Sequence, residues 1–301
     1  MKIAYIDKRF SSSRQRLIAV VNEIIDEYLA KGFRLMVRQL CYQFVARGLC
    51  PNEEKEFERL SRVINDGRLA GLIDWDAIED RSRNVQIPQS WSRPDDILDA
   101  CADQYRIDLW GTQKYRVEVW IEKESLLGVI SGVCQRLRLP HFACKGYTSQ
   151  SEMWDSGHNR IREYLGQDQI PIILHLGDHD PSGLDMTRDI RERLTLFAGE
   201  PVTVERIALN MDQIEQYGPP PNPAKMKDAR IAGYVKQYGK QSWELDALNP
   251  EILSALIKEH AGKYLDDETW NEALEAERLQ RDALRQISER YDDVQEYLES
   301  A

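Results

Sequence analysis

Three carboxylates fall where a sheet would gather them. Glu122 directly follows the strand-like stretch "YRVEVWI", and Asp178 and Asp180 directly follow "IPIILHL", within the turn "GDHDPSG". In an open parallel sheet, ligands bind beyond the carboxyl ends of the strands, where loops and helix N-termini converge. If the two runs are neighbouring strands, these three side chains meet at one point. Carboxylates that close repel one another, and a hard divalent cation resolves the conflict. Mg²⁺ (or Mn²⁺) prefers oxygen ligands and takes one or two protein carboxylates, with phosphate oxygens completing its shell. Pro181, Ser182 and Gly183 then open a helix whose amides face the same point, a seat for phosphate. His179 reads as a spacer, since hard Mg²⁺ does not seek imidazole. The competing reading is a polar turn, because Asp, Pro, Ser and Gly are ordinary turn residues.

A second candidate lies in "VRQLCYQFVARG". Val37, Leu40, Cys41, Phe44 and Val45 form the apolar stripe of an amphipathic helix. At 100° per residue, Tyr42 sits roughly 130° from the centre of that stripe. Arg38 lies one turn earlier on the same side. That places a tyrosine and an arginine away from the core, either as chemistry or as an amphipathic tyrosine at a domain boundary.

The elements that must position these groups follow from pattern. Residues 11–31 read as a serine-capped helix closed near Gly32, followed by helices over 35–48 and 52–71. Residues 72–87 read as short extended segments. Helix, helix, helix and a small strand pair is the order of a winged helix, and equally of a plain bundle. A linking helix covers 91–111. Strand and helix then alternate from Tyr115 to Leu209, which predicts a parallel sheet with helices on both faces, an α/β fold. From about Asn210 the chain is Pro-rich at "GPPPNPAK" and then helical. Leu284, Ile287, Tyr291, Val294 and Leu298 are spaced 3, 4, 3, 4, a two-heptad seam, short for a coiled coil and read as a helix packed on the body. The division expected is 1–33 N-terminal helix, 34–93 winged helix, 94–115 linker, 116–209 metal-binding core and 210–301 helical extension.

Composition sets limits on the class. The 301 residues are 42% hydrophobic and 30% charged, as in ordinary globular proteins. No apolar run approaches the roughly 18 residues of a membrane span, so no membrane partner is expected. Five scattered cysteines, never paired as C-x-x-C, argue for a reducing cytoplasm and against zinc. The net charge of −11 is uneven. Residues 1–93 hold 16 Lys+Arg against 13 Asp+Glu, residues 94–263 hold 20 against 26, and residues 264–301 hold 4 against 12. A mildly basic head is compatible with phosphate binding despite the acidic tail.

The Glu122 and Asp178-x-Asp180 pair resembles the Toprim domain, the metal-binding fold of topoisomerases, bacterial primases and several nucleases. "VRQLCY" is similar to the segment carrying the nucleophilic tyrosine in the A subunit of type IIB topoisomerases (topoisomerase VI) and the related meiotic double-strand-break transesterases. Those proteins join a winged helix to a Toprim domain in this order. "IEKES", "GDHDPSG" and "WELDAL" resemble their later motifs, over about residues 34–260. The resemblance implies a Mg²⁺-dependent DNA-cleaving enzyme, DNA topoisomerase-like and nucleoid-associated. Tyr42 would be its nucleophile, Arg38 its phosphate clamp, and Glu122, Asp178 and Asp180 its metal ligands. Lys55, Arg59 and Arg62 on the third helix would contact DNA phosphates, with Lys123 as a further DNA contact. In the family the tyrosine of one protomer meets the metal site of another, which implies a homodimer. A separate ATPase subunit would be a further partner.

The sequence also departs from that pattern. The lead before the winged helix is short, nothing encodes an ATPase, and the acidic surplus suits a stand-alone miniature relative better than a full topoisomerase subunit. Two other readings stand beside this one: a Toprim nuclease using metal-activated water, of defence or repair type, and a winged-helix regulator without catalysis. Lys225, Lys227 and Arg230 form a surface loop or a DNA contact. Ser149 and Ser151 line the site or cap a helix. Glu244 reads as structural and is not assigned as a ligand.

Overall fold

The computed structural model describes residues 1–78, 88–224, 228 and 230–300. The first unit is helical. Helix α1 (Ser12–Ala30) starts where Ser11 accepts from the Arg14 amide. It packs with α2 (Val37–Ala46) and α3 (Glu54–Leu69) around Ile18, Val21, Ile24, Leu40, Phe44, Leu60, Val63 and Ile64. The three apolar stripes supply this core, and truncating any of these residues to alanine would cost about 2–5 kcal/mol. Residues 72–77 are turns and bends rather than extended, and Ile78 makes a single parallel bridge to Leu35. The rest of the expected strand pair, 79–87, lies outside the described residues.

Helix α4 (Pro94–Gln104) leads to the α/β unit. Strands β1 (Tyr115–Ile121), β2 (His141–Ala143), β3 (Ile170–Leu176) and β4 (Thr203–Ala208) form one parallel sheet in the order β2-β1-β3-β4. Between them run α5 (Leu127–Arg136), the pair α6 (Gln150–Trp154) and α7 (Arg162–Gly166) joined by a π-helical turn (Asp155–Ile161), and α8 (Pro181–Ala198). Both faces of the sheet are covered by helices, so β3 reads as a mostly apolar run, while β1 carries Glu118, buried and paired with Arg160. One core gathers Val117, Val119, Ile121, Leu174 and Leu176 with α5, and the opposite one gathers Trp120, Ile173, Ile190 and Leu194. The register aligns Ile121 with Leu176, so β1 and β3 end level.

The chain then forms α9 (Met211–Tyr217), a two-stranded ribbon of β5 (Asn222–Pro223) and β6 (Gln241–Ser242) around α10 (Ile231–Tyr238), and a short 3₁₀ turn at Leu245–Ala247. Helix α11 (Pro250–Gly262) covers the sheet through Leu253, Leu256, Ile257 and Ala261. Helix α12 (Asp267–Glu289) lies along α4, tied by Arg285 to Asp103 and by Ser288 to the Asp95 carbonyl. The expectation of a last helix packed on the body is corrected for α13 (Tyr291–Ser300), of whose described residues none is buried. The face that docks on α4 carries Ala273, Glu277 and Ser288 instead, and Ile287, Val294 and Leu298 of the seam stay exposed. Among the described residues no helix is long and apolar enough to cross a membrane.

Candidate functional site

Level strand ends bring the three acids together. The Glu122 amide continues the ladder to the Leu176 carbonyl, and its Oε2 accepts from the Asp178 amide at 2.8 Å. Asp180 caps α8, its Oδ1 accepting from the Gly183 amide at 2.7 Å and from the Ser182 hydroxyl. The helix start expected at Pro181–Gly183 is thus capped by a site acid. The turn leaves no room for side chains: a Cβ on Gly183 would lie 2.2 Å from the Asp178 carbonyl oxygen. His179 is buried, its Nδ1 3.0 Å from the Tyr234 hydroxyl.

Electrostatics match the crowding. Burial, then the charges of Asp178 and Asp180, push the Glu122 carboxyl up to about 7. Burial also raises Asp178, against the pull of Lys123. Behind the turn lies Arg206 of β4, absent from the sequence reading. Its guanidinium donates to the carbonyls of Gly177, Asp178, Gly183 and Leu209. Burial lowers it to about 10, while the three site acids hold it charged. An arginine inside the strand "VTVERIAL", just before its apolar end, was the available signal.

Lys123 faces acids of its own chain. Burial opposes its charge, but Asp178, Asp246 and Glu244 outweigh it and raise its pKa. The ammonium lies 3.1 Å from Asp178, 2.9 Å from Glu244 and 3.3 Å from Asp246, a half-buried hub among three acids. This arrangement arises because "WELDAL" folds back on the turn. His179 and Trp243 exchange backbone hydrogen bonds, and the Leu245 amide donates to Asp178 Oδ1 at 2.8 Å.

That fold-back also gives Glu244 a role the sequence reading withheld. Its Oε2 accepts from the Tyr42 hydroxyl, from Arg38 and from Lys123, each at 2.9 Å. Burial would raise Glu244, but Lys123, the Tyr42 hydroxyl and Arg38 prevail and bring it to about 2. Arg38 also reaches Asp246 at 3.5 Å. The acid pair Glu244-x-Asp246 after an apolar Trp repeats the Asp178-x-Asp180 spacing, which was the signal for it.

Tyr42 lies outside the apolar cluster of its own helical unit and at the boundary between the units. It is 2% exposed because its side of α2 docks on the 3₁₀ turn of the α/β unit. The ring meets Phe57 edge-on, and Arg38 donates to its oxygen at 3.4 Å. Burial, then the Glu244 charge, push the phenol up to about 12. Tyr42, Arg38, Asp178, Asp180 and Glu244 nevertheless line one cleft of about 290 Å³ within a single chain. It adjoins a groove of about 730 Å³ between α2 and α3, lined by Val37, Cys41, Phe57 and Arg62. Lys55, Arg59 and Arg62 lie on the exposed face of α3, with Arg59 paired to Glu56.

The remaining candidates are structural where they are described. Ser149 caps α6, accepting from the Glu152 amide. Arg230 pairs with Asp228 and Asp185, while Lys225 and Lys227 lie outside the described residues. The donor set of Glu122, Asp178 and Asp180 is all oxygen, which suits a hard divalent ion, although Lys123 and Arg206 already answer part of its charge. Among the described residues, however, no group of three or more His, Cys, Asp or Glu side chains is arranged as a metal cage, and Lys123 occupies one side of Asp178. Compared with protein-family models, curated proteins and solved structures, the chain finds no match.

Proposed function

We propose that this protein is a Mg²⁺- or Mn²⁺-dependent DNA-cleaving enzyme that joins a winged-helix unit to a Toprim-like sheet and uses Tyr42 as nucleophile. One observation carries the reading: Tyr42 and Arg38 of the helical unit share a cleft with Asp178 and Asp180 of the sheet, beside Glu122. The groove between α2 and α3 continues that cleft past Arg62, a path for a phosphate backbone.

The reaction is an exchange of esters. The Tyr42 oxygen attacks phosphorus, a phosphotyrosine bond forms and the bond to a deoxyribose oxygen breaks. The phenol proton leaves to solvent and the departing oxygen takes one up. Arg38 would leave Glu244 for the phosphate, to which it can donate twice. A divalent ion held by Glu122, Asp178 and Asp180 would supply charge neutralisation at the phosphate and the leaving oxygen. Glu244 is no proton acceptor while Lys123 and Arg38 hold it near 2, because transfer from a phenol near 12 is steeply uphill.

The raised phenol favours a second reading, in which metal-activated water cuts and Tyr42 only contacts DNA. Supercoiled plasmid incubated with Mg²⁺ or Mn²⁺, then analysed under denaturing conditions with and without protease, separates the two. Cut DNA that shifts only after protease, and its loss in Tyr42→Phe, is the expected result. Undiminished cutting by Tyr42→Phe would select water, and failure of the wild type to cut any DNA would remove both.

A further inference from the structure

We propose that the groove between α5 and α12 binds a small organic phosphate carrying a flat ring, the size of a nucleoside monophosphate. The groove measures about 690 Å³, within the range of small-molecule sites. Arg106, Arg136 and Arg138 line it together with Leu139, Trp270 and Leu274, and among the described residues no acid does. The surrounding chain is of the opposite sign: residues 264–301, which supply one wall, hold 12 Asp+Glu against 4 Lys+Arg. The groove uses no residue of the acidic cleft, so the proposal does not rest on the DNA-cleaving reading.

Two of the three arginines keep capacity for a ligand. Arg138 is committed to the buried Glu277 at 2.8 Å. Arg106 turns only Nη1 inward, donating to the Asp103 and Tyr105 carbonyls, and its Nε and Nη2 have no partner among the described residues. Arg136 makes no hydrogen bond or ion pair among the described residues. Two such guanidinium groups on one cavity match a phosphate, which accepts from each by two hydrogen bonds. The carbonyls at the ends of α4 and α5 would repel an anion, but they already accept from Arg106 and from the Trp110 indole.

The rest of the groove suits a ring. Trp270 and Leu274 stand one turn apart on α12. Leu274 is 39% exposed and Trp270 half-buried, its ring meeting Trp110 edge-on. The α5 wall carries Gly132 in the helix interior, where glycine weakens a helix. Close packing does not require it, because a Cβ there would meet only the Arg136 Nη1, at 3.6 Å. What Gly132 does is leave the wall open beside the two unpaired guanidinium groups.

Calorimetric titration of the full chain with adenosine monophosphate tests this. The dissociation constant expected for one shallow site is between about 10 µM and 1 mM. Adenosine and inorganic phosphate each carry half of the recognition and should bind at least about tenfold more weakly. Arg136→Gln should weaken the nucleotide by about ten- to a hundredfold, with an unchanged thermal midpoint because Arg136 holds nothing in the free protein. Gly132→Leu should abolish binding while keeping or raising the midpoint, since leucine fills the groove and suits a helix. A wild type that does not take up the nucleotide, or a Gly132→Leu chain that still does, would overturn the site. Inorganic phosphate bound as tightly as the nucleotide would overturn the ring, and a 5′-phosphorylated oligonucleotide bound more tightly would overturn the free ligand in favour of a strand end.

Discussion

The Tyr42 hydroxyl meets the Glu244 carboxylate at 2.9 Å across the boundary between the helical unit and the sheet. The same oxygen of Glu244 takes Arg38 and Lys123, so a single carboxylate ties α2 to the acidic turn. A substrate phosphate entering the cleft must compete with Glu244 for Arg38. The described arrangement is thus a closed one, in which the tyrosine is held rather than activated.

Removing that carboxylate should therefore loosen the closure and ease the phenol. In Glu244→Ala the Lys123 ammonium keeps Asp178 and Asp246 as partners, so the expected loss of stability is about 2 kcal/mol, below the 3–5 kcal/mol of a fully broken buried pair. The Tyr42 phenol should fall from about 12 towards its ordinary value of 10.0. Chemical denaturation measures the first, and titration of ¹³Cζ-labelled tyrosine, with Tyr42 assigned by its loss in Tyr42→Phe, measures the second. An unmoved phenol would show that Glu244 does not govern it.

The shared cleft makes a different prediction from the resemblance. With Tyr42 and Asp178 lining one cleft in one chain, mixing inactive Tyr42→Phe with inactive Asp178→Ala should restore no covalent DNA adduct. A site built from two protomers would recover adduct through mixed dimers. The measurement is labelled DNA retained on protein after denaturation, for each variant alone and for the mixture.

How much of this was legible in the sequence depends on the range of the forces involved. The strands Tyr115–Ile121 and Ile170–Leu176 lie where the strand–helix alternation placed them, because a covered parallel sheet leaves a local signature. Glu122 lands beside Asp178 because strand ends carry their position with them. Tyr42 lies off the stripe its helical wheel assigns to the core, yet it is buried, since the wheel reports one packed face and α2 has two. Glu244, Lys123 and Arg206 could not be ranked from spacing alone. Their roles arise when "WELDAL" and β4 fold against the same turn from opposite sides. Likewise, seam periodicity shows that an apolar stripe exists on α12 and α13, not whether the same body covers it.

His175 supplies the acid limit of the fold. It is fully buried on β3, Nδ1 2.8 Å from the Thr187 hydroxyl and Nε2 without a hydrogen-bond partner among the described residues. Burial, then the Arg206 charge, lower it from 6.5 to about 3. The unfolded chain therefore takes up a proton below pH 6.5 that the folded chain refuses until about pH 3. Stability from this group is complete above the unfolded value and lost as pH falls across that interval, by on the order of 5 kcal/mol. Glu122, raised to about 7, acts in the opposite sense by binding its proton earlier in the folded state. The difference between wild type and His175→Gln isolates the histidine. Denaturation at stepped pH should show the wild type losing stability across the interval faster than the variant, and parallel curves would place a solvated, protonatable imidazole at this position.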